Sequence, residues 1–345
     1  MSSKRTTSFD VAKMAGVSRA TVSFVLNNVH GVSISEATRQ RVLDAAKKLN
    51  YYPDAAGRKL ANGKSSTLGL VLRQSQEQVF ADALLPQVLL GVEQAATTQG
   101  FQVLLKPLEP DDSTGYMRLI NENQVDGIIL SGPRQDDSEI IRLHRDGFPI
   151  MLMGQLPDGS LPYVDIDAVD GAARAVKHLI ELGHRRIAMI TNASLEYTSA
   201  QQRRSGYLNA LQETGIDQDD SLIREGDYTP ASGFEAMNEL LNISPRSTAV
   251  FVASDVVALG AIHAIKRARV RIPEDIAVVG FDDIPLAEYY DPPLTTIRLP
   301  AYGLGWAAGE RLVRLVNNED LDLEGVLLES ELIARQSSIG NLIAQ

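Results

Sequence analysis

From Thr67 onward the chain alternates short apolar runs with longer amphipathic ones, and this rhythm restricts the fold more than any other feature. TLGLVL, FQVLL, DGIIL, PIMLM, RIAMI, AVFVA and IAVVGF are too short for helices and read as buried strands. Between them, stretches such as DALLPQVLLGVEQAATTQG and DGAARAVKHLIELGH are helical in length and spacing. Strand and helix in alternation predict a doubly wound parallel α/β architecture. The units are too many for one ordinary sheet of this type, and the series restarts near Asp170. Two α/β lobes follow, with a cleft at the carboxyl ends of the strands where such folds bind ligands.

Several polar residues fall at those strand ends. Asp255 follows AVFVAS, Asp282 and Asp283 follow IAVVGF, and Arg203 lies in a helix start after IAMIT. Phe80 comes just after the polar loop that leaves the first strand near Arg73, and Ser131 follows DGIIL. Acids, an arginine and an aromatic together suit a hydroxyl-rich ligand, through fork-like hydrogen bonds and a ring face for C–H surface. An acid opening a helix is also an ordinary N-cap, and Asp255 is the residue most open to that reading.

Composition excludes several classes of function. The 345 residues suggest two or three domains, and 44% hydrophobic with 22% charged residues is ordinary for a protein with a buried core. There is no cysteine, which removes disulfides, thiol nucleophiles and thiolate metal sites and fits a reducing compartment. No run approaches the length of a membrane helix, and MSSKRTTSFD offers no apolar stretch as a secretion signal, so a cytoplasmic protein without membrane partners is expected. G-x-S-x-G, H-E-x-x-H and a strand-following G-x-G-x-x-G are all missing, and the five histidines lack ligand spacing. The segment from Gly57 to Gly63-Lys64-Ser65 imitates a phosphate loop, but five residues separate its glycines where four are required. The expectation is a non-enzyme without cofactor or metal.

The net charge of −11 is distributed unevenly. Residues 1–65 hold eleven Lys/Arg against four Asp/Glu, a charge of +7, and the rest of the chain is at −18. A small basic head on an acidic body points to a polyanionic partner. Within the head, SFDVAKMAGVSRATVSFVLN reads as a helix capped by Ser8, a turn at Gly16, and a second helix capped by Ser18. That is the helix-turn-helix pattern. Val22, Val25 and Leu26 form the apolar stripe of the second helix, so Arg19, Ala20, Ser23 and Phe24 lie on the side presented to base edges. Arg19 is the candidate for a bidentate guanine contact. Phe24 either meets a thymine methyl or tucks into the edge of the small core. Thr7, Ser18 and Ser33 are candidate phosphate donors, which position without specifying sequence. A third helix, capped by Ser35, is expected to bury Val42, Leu43, Ala46 and Leu49. After Pro53, Asp54 opens a helix of roughly eight residues, too short to be stable alone in water. Packed against DNA and a symmetry mate, it would offer Leu60 as a minor-groove wedge with Arg58 and Lys59 near phosphates; otherwise the segment is a flexible linker.

Taken together, FDVAKMAGVSRATVSFVLN, ISEATRQRVLDAAKKLNYYPD, GRKLANGKSSTLGLV, HLIELGHRRIAMI, ALGAIHAI, IPEDIAVVGFDD and PPLTTI resemble the lactose-repressor/galactose-repressor family from about Thr7 to Ser338. The resemblance implies an N-terminal helix-turn-helix head over residues 1–53, a hinge helix over 54–65 and a periplasmic-binding-protein-like core over 66–345. That core would divide into an N-subdomain (about 66–166 plus 297–327) and a C-subdomain (about 167–296 plus 328–340). It places Arg19, Ala20 and Phe24 at base-reading positions and Leu60 at the minor-groove lever. Arg203 would be the effector-binding arginine, Asp282 the acid after the V-G-F strand, Ser254-Asp255 the pair that opens a helix, and Tyr228 a cleft aromatic. Three departures stand out: Phe24 where an arginine is frequent, a longer loop over Asn27–Ser33, and Gly154-Gln155 where an Asp-Arg type pair is usual. No C-terminal leucine heptads follow ARQSS, which favours a dimer.

The implied function is a homodimeric repressor on a palindromic double-stranded operator, its affinity set by a small molecule, most simply a sugar, between the lobes. A purine-type corepressor is the alternative within the family. A stand-alone sugar-binding module and a sugar-acting enzyme with paired acids are the alternatives outside it.

Overall fold

Apolar runs of five or six residues bury fully only inside a sheet covered on both faces, and the chain builds two such sheets. The structure is a computed structural model that describes residues 6–26, 32–51, 65–112, 114–319 and 325–339. It divides into two units, Met1–Ser66 and Thr67–Gln345.

The first unit contains α1 (Ser8–Ala15), α2 (Arg19–Leu26) and α3 (Glu36–Lys48). The cap of α1 is Thr7, one residue before the expected Ser8, because Asp10 Oδ2 reaches back to accept both the Thr7 N–H (2.9 Å) and its hydroxyl (2.7 Å). Gly16 ends the helix at φ +67°, and its N–H bonds back to the Ala12 carbonyl. Ser18 Oγ accepts the Thr21 N–H at 3.1 Å, and Ser35 Oγ accepts that of Thr38 at 3.3 Å. Val11, Ala12, Ala15, Val22, Val25, Val42, Ala45 and Ala46 form the buried core. Leu43 is not part of it and is 42% exposed. The buried positions on α3 follow i, i+3, i+4 from Val42, which turns residue 43 outward. Helices this short are stable only through that shared core.

The second unit runs β1 (Thr67–Leu72), α4 (Gln76–Ala81), α5 (Leu85–Thr98), β2 (Gln102–Pro107), α6 (Gly115–Asn121), β3 (Gly127–Ser131), α7 (Ser138–Arg145), β4 (Ile150–Met153) and β5 (Tyr163–Ile166). It continues through α8 (Ala168–Glu181), β6 (Ile187–Ile190), α9 (Thr198–Glu213), β7 (Ile223–Arg224), α10 (Pro230–Leu241), β8 (Ala249–Val252), α11 (Asp255–Arg267) and β9 (Ala277–Val279). The chain ends with β10 (Thr296–Arg298), α12 (Ala301–Val316), β11 (Val326–Leu328), β12 (Glu331–Ile333) and α13 (Gln336–Ile339).

Strand order β11-β5-β4-β3-β1-β2 makes one parallel sheet and β7-β6-β8-β9 the other; β10 and β12 pair antiparallel. The expected restart near Asp170 corresponds to α8, the first element of the second lobe. The lobes are joined where β5 leads to α8, where β10 leads to α12, and where β11 leads to β12. The first strand runs read from the sequence match β1–β4, β6, β8 and β9. Strands β5, β7, β10, β11 and β12 were not anticipated, because two to four residues carry too little periodicity to separate from loop.

Helices pair closely on the sheet faces through glycines. A Cβ on Gly305 of α12 would lie 2.1 Å from the Val88 carbonyl oxygen of α5, and one on Gly260 of α11 would lie 1.7 Å from that of Pro230 at the start of α10. No helix among the described residues is long and apolar enough to cross a membrane.

Gly260→Ala should therefore cost about 1–3 kcal/mol of unfolding free energy despite alanine's better helix propensity, since α10 must move. Chemical denaturation measures this, and an unchanged or raised midpoint would mean that the two helices can separate without cost.

Candidate functional site

Between the lobes lies a cleft of about 190 Å³, lined from one side by the carboxyl ends of β1, β3 and β5 and from the other by residues that follow β6, β7, β8 and β9. Ser131, Arg203, Tyr228, Ser254 and Asp282 all line it. Arg203 projects from α9 and is 9% exposed. Its guanidinium carbon sits 4.0 Å from the centroid of the Phe281 ring, and Nη1 donates to the Ala253 carbonyl and lies 3.2 Å from Asp282 Oδ1. The flat face of the guanidinium is thus covered by an aromatic ring while Nη1 is paired and Nε is buried without a partner, an arrangement available to arginine and not to lysine.

Asp282 occupies φ +123° and Asp283 φ +53°, two consecutive non-glycine residues in the left-handed region. The Asp282 N–H donates to the Ile297 carbonyl and its own carbonyl accepts from Leu299, which fixes the turn to the β10 crossover. Burial pushes the Asp282 carboxyl up to about 6; Arg203 opposes that rise and the nearby Asp82 carboxylate adds to it. Tyr228, at φ +53°, packs edge-on against Tyr197 at 5.5 Å, and burial raises its phenol to about 12.

Three of the expected cleft residues lie elsewhere. Phe80 is 65% exposed and does not line the cleft, because α4 turns it to solvent. Arg73 is buried on the other side of its loop, donating to the carbonyls of Pro110 and Asp112 and lying 3.9 Å from Asp137. Asp255 is fully buried behind the cleft wall, where its carboxylate accepts the Thr296 hydroxyl (2.7 Å) and the Ile284 N–H (3.0 Å). It is an internal tether for the strand ends and not the helix cap that its position suggested, since Ser254 holds the N-cap position.

The cleft also contains residues that were not anticipated: Gln74, Gln78, Asp82, Asp165, Asn192, Thr198, Ser199 and Gln202. Asn192 was within reach of the strand-end rule, since it follows IAMIT directly. Asp165 was not, because β5 itself was missed. Gln155, one of the family departures, donates from Nε2 to Asp165 Oδ2 at 3.0 Å, while Gly154 lines the cleft.

In the first unit, Arg19 and Ala20 are exposed at the start of α2, while Ser23 and Phe24 are half-buried. Thr7 is engaged with Asp10, Ser18 with the second helix, and Ser33 is exposed. Arg58, Lys59 and Leu60 lie outside the described residues.

An acid whose folded-state value lies above its unfolded one adds stability when protonated, and that contribution is withdrawn as pH rises through the folded value. For Asp282 the window runs from the ordinary 3.8 to about 6. The stability difference between the native protein and Asp282→Asn should thus grow as pH falls from 7 to about 4.5, by roughly 1–3 kcal/mol. Paired denaturation curves at the two pH values check this, and a constant difference would place the Asp282 carboxyl in an ordinary environment.

Comparison with known proteins places this geometry in a lineage. Residues 9–54 match the family described as bacterial regulatory proteins, lacI family, and residues 176–338 match the periplasmic binding protein-like domain. The HTH-type transcriptional regulator CelR of Thermobifida fusca is 36% identical over 334 residues, covering 95% of this chain and 96% of that one. The HTH-type transcriptional repressor CytR of Escherichia coli (strain K12) is 35% identical over 332 residues, covering 95% of both chains. The repressor PurR of Mannheimia succiniciproducens is 34% identical over 334 residues, covering 95% of this chain and 97% of its own. Among solved structures, the CelR–cellobiose complex aligns over 96% of this chain and 100% of its own, with TM-score 0.75 and 35% identity. The lac repressor dimer bound to operator and the anti-inducer ONPF aligns over 97% and 99%, with TM-score 0.84 and 29% identity. A helix-turn-helix head in front of a two-lobed core, matched along nearly its whole length by such relatives, makes this chain a member of the LacI family of bacterial transcriptional regulators.

Proposed function

We propose that the protein is a cytoplasmic, non-enzymatic repressor that binds a palindromic operator as a homodimer and is controlled by a sugar in the interlobe cleft. The observation that carries this reading is the cleft's lining of hydrogen-bonding side chains with one arginine–aspartate pair at its wall, the kind of surface that hydroxyl groups satisfy. The likeness to a CelR–cellobiose complex supports the choice of ligand class, and the lac repressor dimer on its operator supports the DNA partner.

Residues 1–53 form the head and 54–65 the hinge, with Leu60 as the minor-groove wedge flanked by Arg58 and Lys59. Arg19, Ala20, Ser23 and Phe24 face the bases, and Thr7, Ser18 and Ser33 lie toward phosphates. Arg203, Asp282, Ser254, Tyr228 and Ser131 contact the effector. Exposed Leu90, Tyr302 and Trp306 on α5 and α12, with Leu259, Leu286 and Tyr289 on the second lobe, give both lobes apolar surface for a symmetry mate. Because three chain crossings join the lobes, a ligand that bridges them changes their relative angle, and a coupling of about 1–3 kcal/mol would suffice to control the operator.

Operator selection from random duplexes should enrich a twofold-symmetric site. On that site Arg19→Ala should lose about 1–3 kcal/mol of affinity and relax preference at one base pair; equal losses on every sequence would make Arg19 a phosphate contact. Cellobiose should bind the purified protein and weaken the operator complex without being consumed. Arg203→Ala should weaken cellobiose at least about tenfold in calorimetry, since it removes a charged donor and leaves Asp282 unpaired. Saturable binding of a purine base, with no response to any sugar, would replace this reading by the corepressor alternative.

A further inference from the structure

The cleft holds more acceptors than its own donors satisfy. Three carboxylates line it, two from the first lobe (Asp82, between α4 and α5, and Asp165, on β5) and one from the second, Asp282. Among the described residues lining the cleft, Arg203 is the one cation, and it is paired with Asp282. Asp82 accepts the Leu84 N–H at 2.8 Å and Asp165 the Gln155 amide at 3.0 Å, neither of which supplies a full charge. Asn192 is 1% exposed; its Nδ2 donates to Ser199 at 3.1 Å, while its Oδ1 has no partner. Gln74 Oε1 is likewise buried without one. Against these acceptors stands one buried donor of the lining without a partner, Arg203 Nε, so the missing partner is richer in donors than in acceptors. Burial raises the carboxyls of Asp82, Asp165 and Asp282 alike, and Arg203 opposes the rise at Asp165 and Asp282 without cancelling it.

We propose that the cleft is a charge filter: it takes glycans rich in hydroxyl donors and free of phosphate or carboxylate groups, with Asp82 and Asp165 as acceptors alongside Asp282. The inference rests on the sugar reading above and narrows it. A neutral sugar ring offers a hydroxyl to each carboxylate and to the Asn192 and Gln74 oxygens. A phosphoryl group at about −1.5 to −2 charge brings only acceptors to a site that already has three acids against one guanidinium. In that setting like charges a few ångströms apart are poorly screened. Asp82 and Asp282 come from opposite lobes and the Asp82 carboxylate raises that of Asp282, so a neutral polyol bridging them also relieves that repulsion.

The test is calorimetry on the full-length protein with cellobiose and with its 6′-phosphate and its aldonate, cellobionate. The native protein should bind cellobiose and lose at least about tenfold in affinity for either anion. Asp82→Asn and Asp165→Asn, each checked for an unchanged melting curve, should shrink that ratio by weakening cellobiose and improving the phosphorylated ligand. A variant that only loosened the fold would weaken all three ligands together. Equal or tighter binding of the phosphorylated sugar to the native protein overturns the filter and leaves the sugar reading intact. Failure of every sugar, neutral or charged, overturns both.

Discussion

The core depends on two consecutive aspartates held in a backbone region that L-residues rarely occupy. Asp282 turns its carboxylate into the cleft toward Arg203, while the buried Asp283 carboxylate turns away from the cleft and bridges Arg298 Nε at 2.7 Å and Arg335 Nη2 at 2.8 Å. Arg298 belongs to β10, which carries the chain back to the first lobe, and Arg335 follows β12, after the chain has crossed again. One strained dipeptide therefore joins the ligand-facing wall to two of the three lobe crossings. Strain of this kind persists only where surrounding bonds over-determine it. Here they do, through the backbone bonds of Asp282 to Ile297 and Leu299 and the two ion pairs of Asp283.

Buried ion pairs seldom add net stability, because removing two charges from water costs as much as their attraction returns. Arg203–Asp282 is such a pair, and the raised Asp282 carboxyl is the sign that its cost is not fully recovered. The same holds for the cleft as a whole. Asn192 and Gln74 present acceptors with nothing to accept, and Asp82 and Asp165 accept hydrogen bonds from neutral donors. A folded state that carries unmet polar groups in one place is poised to gain from a ligand that meets them. That gain is the source of any coupling to the head, since a ligand moves an equilibrium only by the difference in how well it fits the two states.

Much of this was legible beforehand. Strands β1, β3, β4, β6 and β8 stand out because each is a fully apolar run bounded by polar residues, and Gly16 with Ser18 marks the helix-turn-helix directly. Arg203 and Asp282 follow from lying just beyond strand runs, and Ser254 from the family resemblance. Phe80 and Arg73 were misplaced for a different reason. Both follow the first strand, but α4 turns one outward, and the loop around Pro110 captures the other's guanidinium. Asp255 obeyed the strand-end rule and still missed the cleft, because Thr296 and Ile284 claim its oxygens from behind.

Periodicity, capping residues and charge along the chain determined the helix-turn-helix head, the parallel α/β core and its division in two, because these depend on neighbours within a few turns. Which side chains share the cleft was decided only by the fold. Asp82, Asp165 and Asp282 are separated by scores of residues, and nothing local to any of them marks it as a partner of the others. They meet because parallel strands bring their carboxyl ends to one edge and three chain crossings set two such edges face to face.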